Sequence, residues 1–346
     1  MSTQTNGSSS TASQLYKETF SLGRFVRANG TQLGMLGVFF GLWLIFIVSA
    51  PNTFLSSRIY FAFMSTIPFF AIMAIPLTMV VIAGEMDLSF PSIMAMGMVA
   101  FSFVYGATET IASVSTRVFL AFLAALLCGS FIGWLNGVIV VRFGIPSLVA
   151  TIGTQFFWRG AVLVLTEGKN YSLGYIKQSF LYSALVGKIG GYFPMQMLWL
   201  IIIAVFGWIL LNRHQFGAHV YLIGDNVQSA QLMGVNTGRV RIRAFMLIGL
   251  ISAFAGVLYS FHIAYFWPNT GDGYLLNTLA SVFLGGTSVF GGTGTILGTF
   301  LGAFIIGAIE AATVAVGLTG FWTQLIYGLI IVLSVIMHMY LRRRME

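Results

Sequence analysis

The chain has 346 residues, of which 58% are hydrophobic and only 8% are charged. A soluble domain carries roughly a quarter charged residues, so this composition excludes a water-soluble globule. The net charge of +8 would suggest a nucleic-acid partner in a soluble protein, but in a membrane protein the basic residues are interpreted by membrane side. The 40 glycines fit helices that pack closely in lipid. The composition predicts an all-α integral membrane protein.

The chain divides into a polar start, a long apolar region and a basic end. Residues 1–33 are rich in Ser, Thr and Gln and are expected to form a mobile cytoplasmic tail. A transmembrane domain is predicted over 34–340, followed by a basic cytoplasmic tail over 341–346. Ten apolar segments have about the length that crosses ~30 Å of hydrocarbon. They lie at about 34–50, 59–83, 90–107, 118–141, 147–166, 196–211, 244–266, 274–290, 295–316 and 321–340. Segment 274–290 is glycine-rich, which favours a broken or re-entrant helix.

The distribution of basic residues predicts the orientation. Ten spans put both termini on one side, which carries eleven basic residues against five on the other. The positive-inside rule makes the first side cytoplasmic. The longest loop on the other side, about 167–195, mixes polar and aromatic residues and is a candidate docking surface for an external partner.

The main cytoplasmic loop, residues 212–243, is here named the central loop. Within it, Asp225 or Asn226 can cap the start of a helix, and Gly234 suits the left-handed residue that ends one. The apolar residues of this two-turn helix are too few for a core of its own, so it either lies on the membrane or fits into another protein. Arg239, Arg241 and Arg243 follow at the start of the next span. They are either topology anchors or contacts to anionic lipid or an acidic partner.

Ionisable groups at membrane depth are costly and tend to face a cavity or a partner. Asp87 and Ser89 precede the third span, where capping and a substrate or gating role are both open. Glu310 lies within a span and could accept hydrogen bonds from a solute, or pair with Arg159. Glu85 is the fourth such group.

Asn136 and Gln155 are single polar residues on apolar spans, for which hydrogen bonding between helices is the usual explanation. Cys128, the only cysteine, excludes an internal disulfide and a cysteine-rich metal site. The sequence contains no catalytic triad or metal-ligand spacing, so neither catalytic nor metal residues are expected.

Four motifs follow one another over about residues 60–320: VIAGEMDLSFPSIMAMG, IPSLVATIGTQFFWRG, IGDNVQSAQLMGVNTGRVRIRAF and LGGTSVFGGTGTILGTFLGAFIIGAI. In this order they resemble the motifs of ATP-binding-cassette (ABC) importer permeases of the ribose/xylose/arabinose class. The first departs from the family pattern, with Glu85 for the usual glycine and Phe90-Pro91 for Val-Gly. The closest glycine run to a phosphate-binding loop, GGTGTILGT, lacks its lysine.

The resemblance implies the membrane subunit of an importer in the bacterial inner membrane, which moves a small sugar or polyol by alternating access. This chain would be no enzyme and would bind no cofactor, with ATP and Mg in a partner ATPase. A second permease copy or paralogue, a periplasmic or extracellular solute-binding protein and lipid would be the other partners, and no nucleic acid is expected. A stand-alone secondary sugar carrier, a passive channel or scaffold, and an amino-acid-type ABC permease are the alternatives.

The central-loop helix would then fit a cleft in the ATPase, where the space at its small residues matters more than its charge. The residues expected to couple it are Gly224, Asp225, Asn226, Ala230, Gly234 and Arg239. The candidates for the substrate path or gate are Glu85, Asp87, Asn136, Gln155 and Glu310.

Overall fold

The computed structural model describes residues 30–110 and 113–343, and these are largely helical. The first eight helices are α1 (Gly30–Ser49), α2 (Pro51–Phe54), α3 (Ser57–Thr66), α4 (Pro68–Ile82), α5 (Phe90–Ala107), α6 (Val114–Phe143), α7 (Ser147–Thr166) and α8 (Phe180–Val186). The others are α9 (Met195–Asn212), α10 (Gln215–Asp225), α11 (Val227–Leu232), α12 (Thr237–Ile263), α13 (Tyr274–Leu284), α14 (Ile296–Ala315) and α15 (Phe321–Arg343).

The predicted all-α membrane class is confirmed, and all ten predicted segments fall on helices. Six helices are long and apolar enough to cross a membrane: α5, α6, α7, α9, α12 and α14. Helices α3 and α4 form a seventh if their pair, bent by 52°, is one span. Pro68 at the start of α4 lacks an N–H, which suits the bend. The other three segments are shorter apolar helices, so the count of ten and the cytoplasmic termini stay predictions.

At both ends of the chain, a helix extends into the stretch that was predicted to be a tail. Helix α1 begins at Gly30, inside the stretch predicted to be a tail, and residues 1–29 lie outside the described residues. Helix α15 continues through Arg343, so it includes the first three residues of the predicted basic tail. Residues 344–346 also lie outside the described part.

Helices α6 and α12 form an antiparallel pair joined through glycines. A Cβ at Gly129 would lie 2.4 Å from the Gly249 carbonyl oxygen, and one at Gly133 would lie 2.1 Å from the Phe245 carbonyl oxygen. One turn further, a Cβ at Gly137 would meet Ile242. Since apolar burial gives little drive between helices in lipid, this close backbone approach supplies the packing instead.

Helices α13 and α14 form a second close hairpin. Helix α13 ends at Leu284, within the segment predicted to be broken, and the chain turns back through residues 285–295. A Cβ at Gly302 would lie 2.4 Å from the Ser281 carbonyl oxygen, and one at Gly285 would lie 2.6 Å from the Thr299 nitrogen. The 285–295 turn reaches the end of α4, where the Gly292 N–H donates to the Ile82 carbonyl oxygen.

The loop between α7 and α9 contains the short surface helix that its sequence suggested. A 3₁₀ helix (Gly174–Gln178) is followed by α8. Strand β1 (Tyr171–Ser172) pairs with β4 (Tyr265–Phe266), and β2 (Lys188–Ile189) pairs with β3 (Phe193–Pro194). The β1–β4 pair joins this loop to the end of α12, at the opposite end of that helix from the central loop.

Candidate functional site

The central loop contains two helices where the sequence predicted one. Helix α10 ends at Asp225, and Asn226 caps α11 by accepting a hydrogen bond from the Ser229 N–H at 2.9 Å. Of the two predicted caps, Asn226 is therefore correct and Asp225 is wrong, since Asp225 already ends the preceding helix. Gly234 has φ +81°, as predicted for the left-handed residue after the helix. Arg239 lies in the first turn of α12 and is exposed, with its N–H bound by Asn236.

The small residue of α11 that was expected to face the ATPase points inward instead. Ala230 is fully buried, and its carbonyl accepts from the Val235 N–H, so its side chain faces the protein itself. Leu232 is 90% exposed and Met233 is 60% exposed. These two residues, named the α11 tip, form an exposed apolar surface of the central loop.

Gly224 belongs to a tight backbone contact rather than to the exposed surface. A Cβ at Gly224 would lie 1.7 Å from the Ile82 carbonyl oxygen and 2.5 Å from the Gly292 nitrogen. A Cβ at Gly291 would lie 3.1 Å from the Cα of Gly84. We name Gly84, Gly224, Gly291 and Gly292 the glycine hub. It joins the central loop directly to the end of α4 and to the 285–295 turn.

One of the three predicted basic contacts is internal. Arg241 forms an ion pair with Glu85 at 3.1 Å, and both side chains are largely buried. Arg239 and Arg243 are exposed. Glu85 is thus explained by a partner on α12, and Arg241 is neither a lipid contact nor a free topology anchor.

The non-helical segment 83–89 is held by buried polar side chains. Asp87 Oδ1 accepts hydrogen bonds from the Ser89 N–H at 2.8 Å and from its hydroxyl at 2.6 Å. The Asn136 amide donates to the Ser89 hydroxyl at 2.7 Å. Ser89 stands at the cap position of α5 but makes no side-chain cap bond, so the predicted capping role is replaced by a local turn. Burial raises the pKa of Asp87 to about 6.

Helix α7 supplies acceptors to the same segment at intervals of four residues. Ser147 accepts from the Met86 N–H, Thr151 from the Leu88 N–H, and Gln155 from the Ser92 N–H. Residues four apart share one helix face, so this spacing was readable from the sequence, although Ser147 and Thr151 were missed. Gln155 makes the helix-to-helix hydrogen bond expected of an isolated polar residue, whereas Asn136 bonds to Ser89 in the non-helical segment.

Arg159 and Glu310 do not pair, contrary to one of the two predictions for Glu310. Arg159 instead forms an ion pair with Asp272 and donates to backbone carbonyls, including those of Pro91 and Thr270. Glu310 is exposed on α14, near the tyrosine hydroxyls of Tyr274 and Tyr327. Within residues 30–110 and 113–343, no cluster of three or more His, Cys, Asp or Glu could hold a metal ion.

Three known permeases are similar to this chain over most of its length. The ribose import permease protein RbsC of Escherichia coli (strain K12) is 30% identical over 300 residues, covering 85% of this chain and 90% of that protein. RbsC of Haemophilus influenzae is 30% identical over 273 residues, covering 78% and 82%. The autoinducer 2 import system permease protein LsrC of Yersinia pestis (strain Pestoides F) is 31% identical over 308 residues, covering 89% and 84%.

These relatives are membrane subunits of transporters rather than enzymes. They confirm the resemblance to ABC importer permeases of the simple-sugar class, and with the apolar helices they place the chain in the bacterial inner membrane as a multi-pass protein. The family model described as "Branched-chain amino acid transport system / permease component" matches residues 59–335. The chain therefore belongs to the family of branched-chain amino acid transport system permease components.

Proposed function

We propose that this permease imports a small sugar or polyol by alternating access driven by a separate ATPase, which binds ATP and Mg. Two permease copies, or this chain and a paralogue, would form the path, and an external binding protein would deliver the solute. The names of the ribose and autoinducer 2 relatives support this solute class. The family description names amino acids instead, so leucine is the comparison solute for every uptake assay.

The α11 tip is the observation that carries ATPase coupling. Leu232 is 90% exposed at the end of a six-residue helix that Asp225 and Asn226 precede. An exposed leucine and methionine side by side on a polar loop suit insertion into an apolar cleft of another protein. The buried Ala230 anchors the helix from behind, so the tip can transmit force rather than flex.

The glycine hub supplies a path for that force. A displacement of α11 would move α10 through the single linking residue Asn226. Helix α10 contacts the Ile82 carbonyl and Gly292 without any side chain between them, and the Tyr221 hydroxyl donates to the Gly294 carbonyl at 2.8 Å. Motion would therefore reach α4 and the α13–α14 hairpin through backbone contacts. Packed elements of this kind move as rigid bodies between discrete arrangements.

The test replaces the tip while leaving the spans unchanged. We expect Leu232→Glu to reach the membrane but to lose co-purification with the ATPase and to lose solute uptake, because a carboxylate is costly in an apolar cleft. Leu222→Glu, at an exposed leucine of α10 outside the tip, is the matched control. Normal ATPase binding and uptake by Leu232→Glu would contradict the coupling role.

A second substitution separates an ATPase cleft from a lipid surface. Tryptophan favours the membrane interface, so Leu232→Trp would be neutral or beneficial if the tip rested on lipid. In a protein cleft the larger ring would be excluded, and uptake would fall.

A further inference from the structure

A polar cavity lies at the end of α12 that is remote from the central loop. Its volume is about 400 Å³, within the range of roughly 300–1,000 Å³ that is typical of small-molecule sites. Helix α12 has 27 residues, so its ends are about 40 Å apart at 1.5 Å per residue. The cavity is lined by Tyr259, Trp267, Asn269, Thr270, Asp272 and Tyr274, together with two glycines.

The wall of this cavity is held in place from behind by Arg159. Its guanidinium pairs with Asp272 and donates to the carbonyl oxygens of Pro268 and Thr270. Gly271 has φ +96°, and a Cβ there would lie 2.4 Å from the Pro91 carbonyl oxygen, so the segment fits against α5 only with glycine. The cavity wall is therefore preformed, which lowers the ordering cost of binding a ligand.

The remaining lining groups fit a polyhydroxylated ring. Trp267 is 44% exposed and Tyr274 is partly exposed, and both offer flat apolar rings. The Asp272 side chain is 52% exposed and Asn269 is exposed, and both can bond to hydroxyls at the edge of such a ring.

We propose that this cavity is a binding subsite for the translocated solute, built for a small polyhydroxylated ring such as a pentose. This inference rests on the proposed import of a sugar or polyol, and it adds a site that the solute meets on the permease itself. The exposed side chains of Asn269 and Asp272 bond to solute hydroxyls, and Trp267 covers the apolar face of the ring.

The test measures binding to the purified permease–ATPase complex without the binding protein, so that affinity reports the permease alone. D-ribose, D-xylose and L-arabinose are the probes, with L-leucine as the comparison. We expect at least one sugar to bind, and Asn269→Ala and Trp267→Ala each to weaken that binding by about tenfold. Asn269 and Trp267 are both exposed, so the melting temperature of either variant should fall little.

Trp208→Ala is the matched control, since Trp208 is 43% exposed but lies in an apolar groove on α9. Its sugar affinity should equal that of the wild type. If the wild type imports a sugar in vesicles that contain all partners, yet the complex does not bind it or both cavity variants bind it normally, the subsite is refuted while the proposed function stands. If the wild type imports L-leucine and none of the three sugars, the proposed function fails and this inference fails with it.

Discussion

Gly224→Ala tests whether the glycine hub connects the central loop to the membrane helices. The added Cβ would lie 1.7 Å from the Ile82 carbonyl oxygen, whereas Cβ contacts begin at 3.0 Å, so α10 must move by about 1.3 Å. That movement would strain the Gly292–Ile82 hydrogen bond of 2.9 Å and the Tyr221–Gly294 bond of 2.8 Å. Losing both would cost about 2 kcal/mol, and relieving the overlap would add about 1 kcal/mol or more.

A cost of about 3 kcal/mol at the hub is expected to disconnect the central loop from α4 without removing any span. The assay compares solute-dependent stimulation of ATPase activity with solute uptake in vesicles that contain all partners. We expect both to fall at least tenfold while the ATPase still binds, because the α11 tip is untouched. Gly106→Ala is the control, since Gly106 is helical and a Cβ there meets nothing within 4 Å. Coupled uptake by Gly224→Ala at the wild-type rate would refute the reasoning.

Three further predictions follow from the polar core and the topology. Burial raises the pKa of Asp87 from its ordinary value near 4 to about 6, so the wild-type melting temperature should fall as pH rises from about 4 to 6, and Asp87→Asn should abolish that fall; an equal fall in the variant would refute the assignment. Glu85→Gln leaves Arg241 without its ion-pair partner and should lower the free energy of unfolding by about 1–3 kcal/mol. The double variant with Arg241→Gln should regain part of that loss, and no regain would contradict the pair. In a Cys128→Ser background, an impermeant thiol reagent should label cysteine at Lys177 but not at Asn236 in sealed cells, and labelling at Asn236 would reverse the orientation.

The features that could be predicted from the sequence are those set by local chemistry. Gly234 and the Asn226 cap are readable because helix ends are decided within a few residues. The broken segment at 274–290 is readable from its glycines. The orientation of Ala230 was not readable, since its burial depends on which face of a six-residue helix meets the rest of the protein.

Long-range pairing accounts for the remaining differences. By charge alone Arg159 was paired with Glu310, whereas the fold of the 267–273 segment brings Asp272 to it. In the sequence Glu85 is only a departure from the family pattern, because its ion-pair partner Arg241 on α12 lies far away in the chain. Gly224 was assigned through the resemblance, whereas its physical reason is a backbone contact with residues far away in the chain.

ATP dependence tests the central claim most directly. Purified permease is placed in vesicles with D-ribose, D-xylose, L-arabinose or L-leucine outside. The ATPase, the binding protein and ATP are each supplied or left out, with and without an imposed proton or sodium gradient. The account predicts uptake of a sugar only when the ATPase, the binding protein and ATP are all present, and no response to either gradient. Sugar uptake by the permease alone, driven by a gradient, would contradict it and identify a secondary carrier.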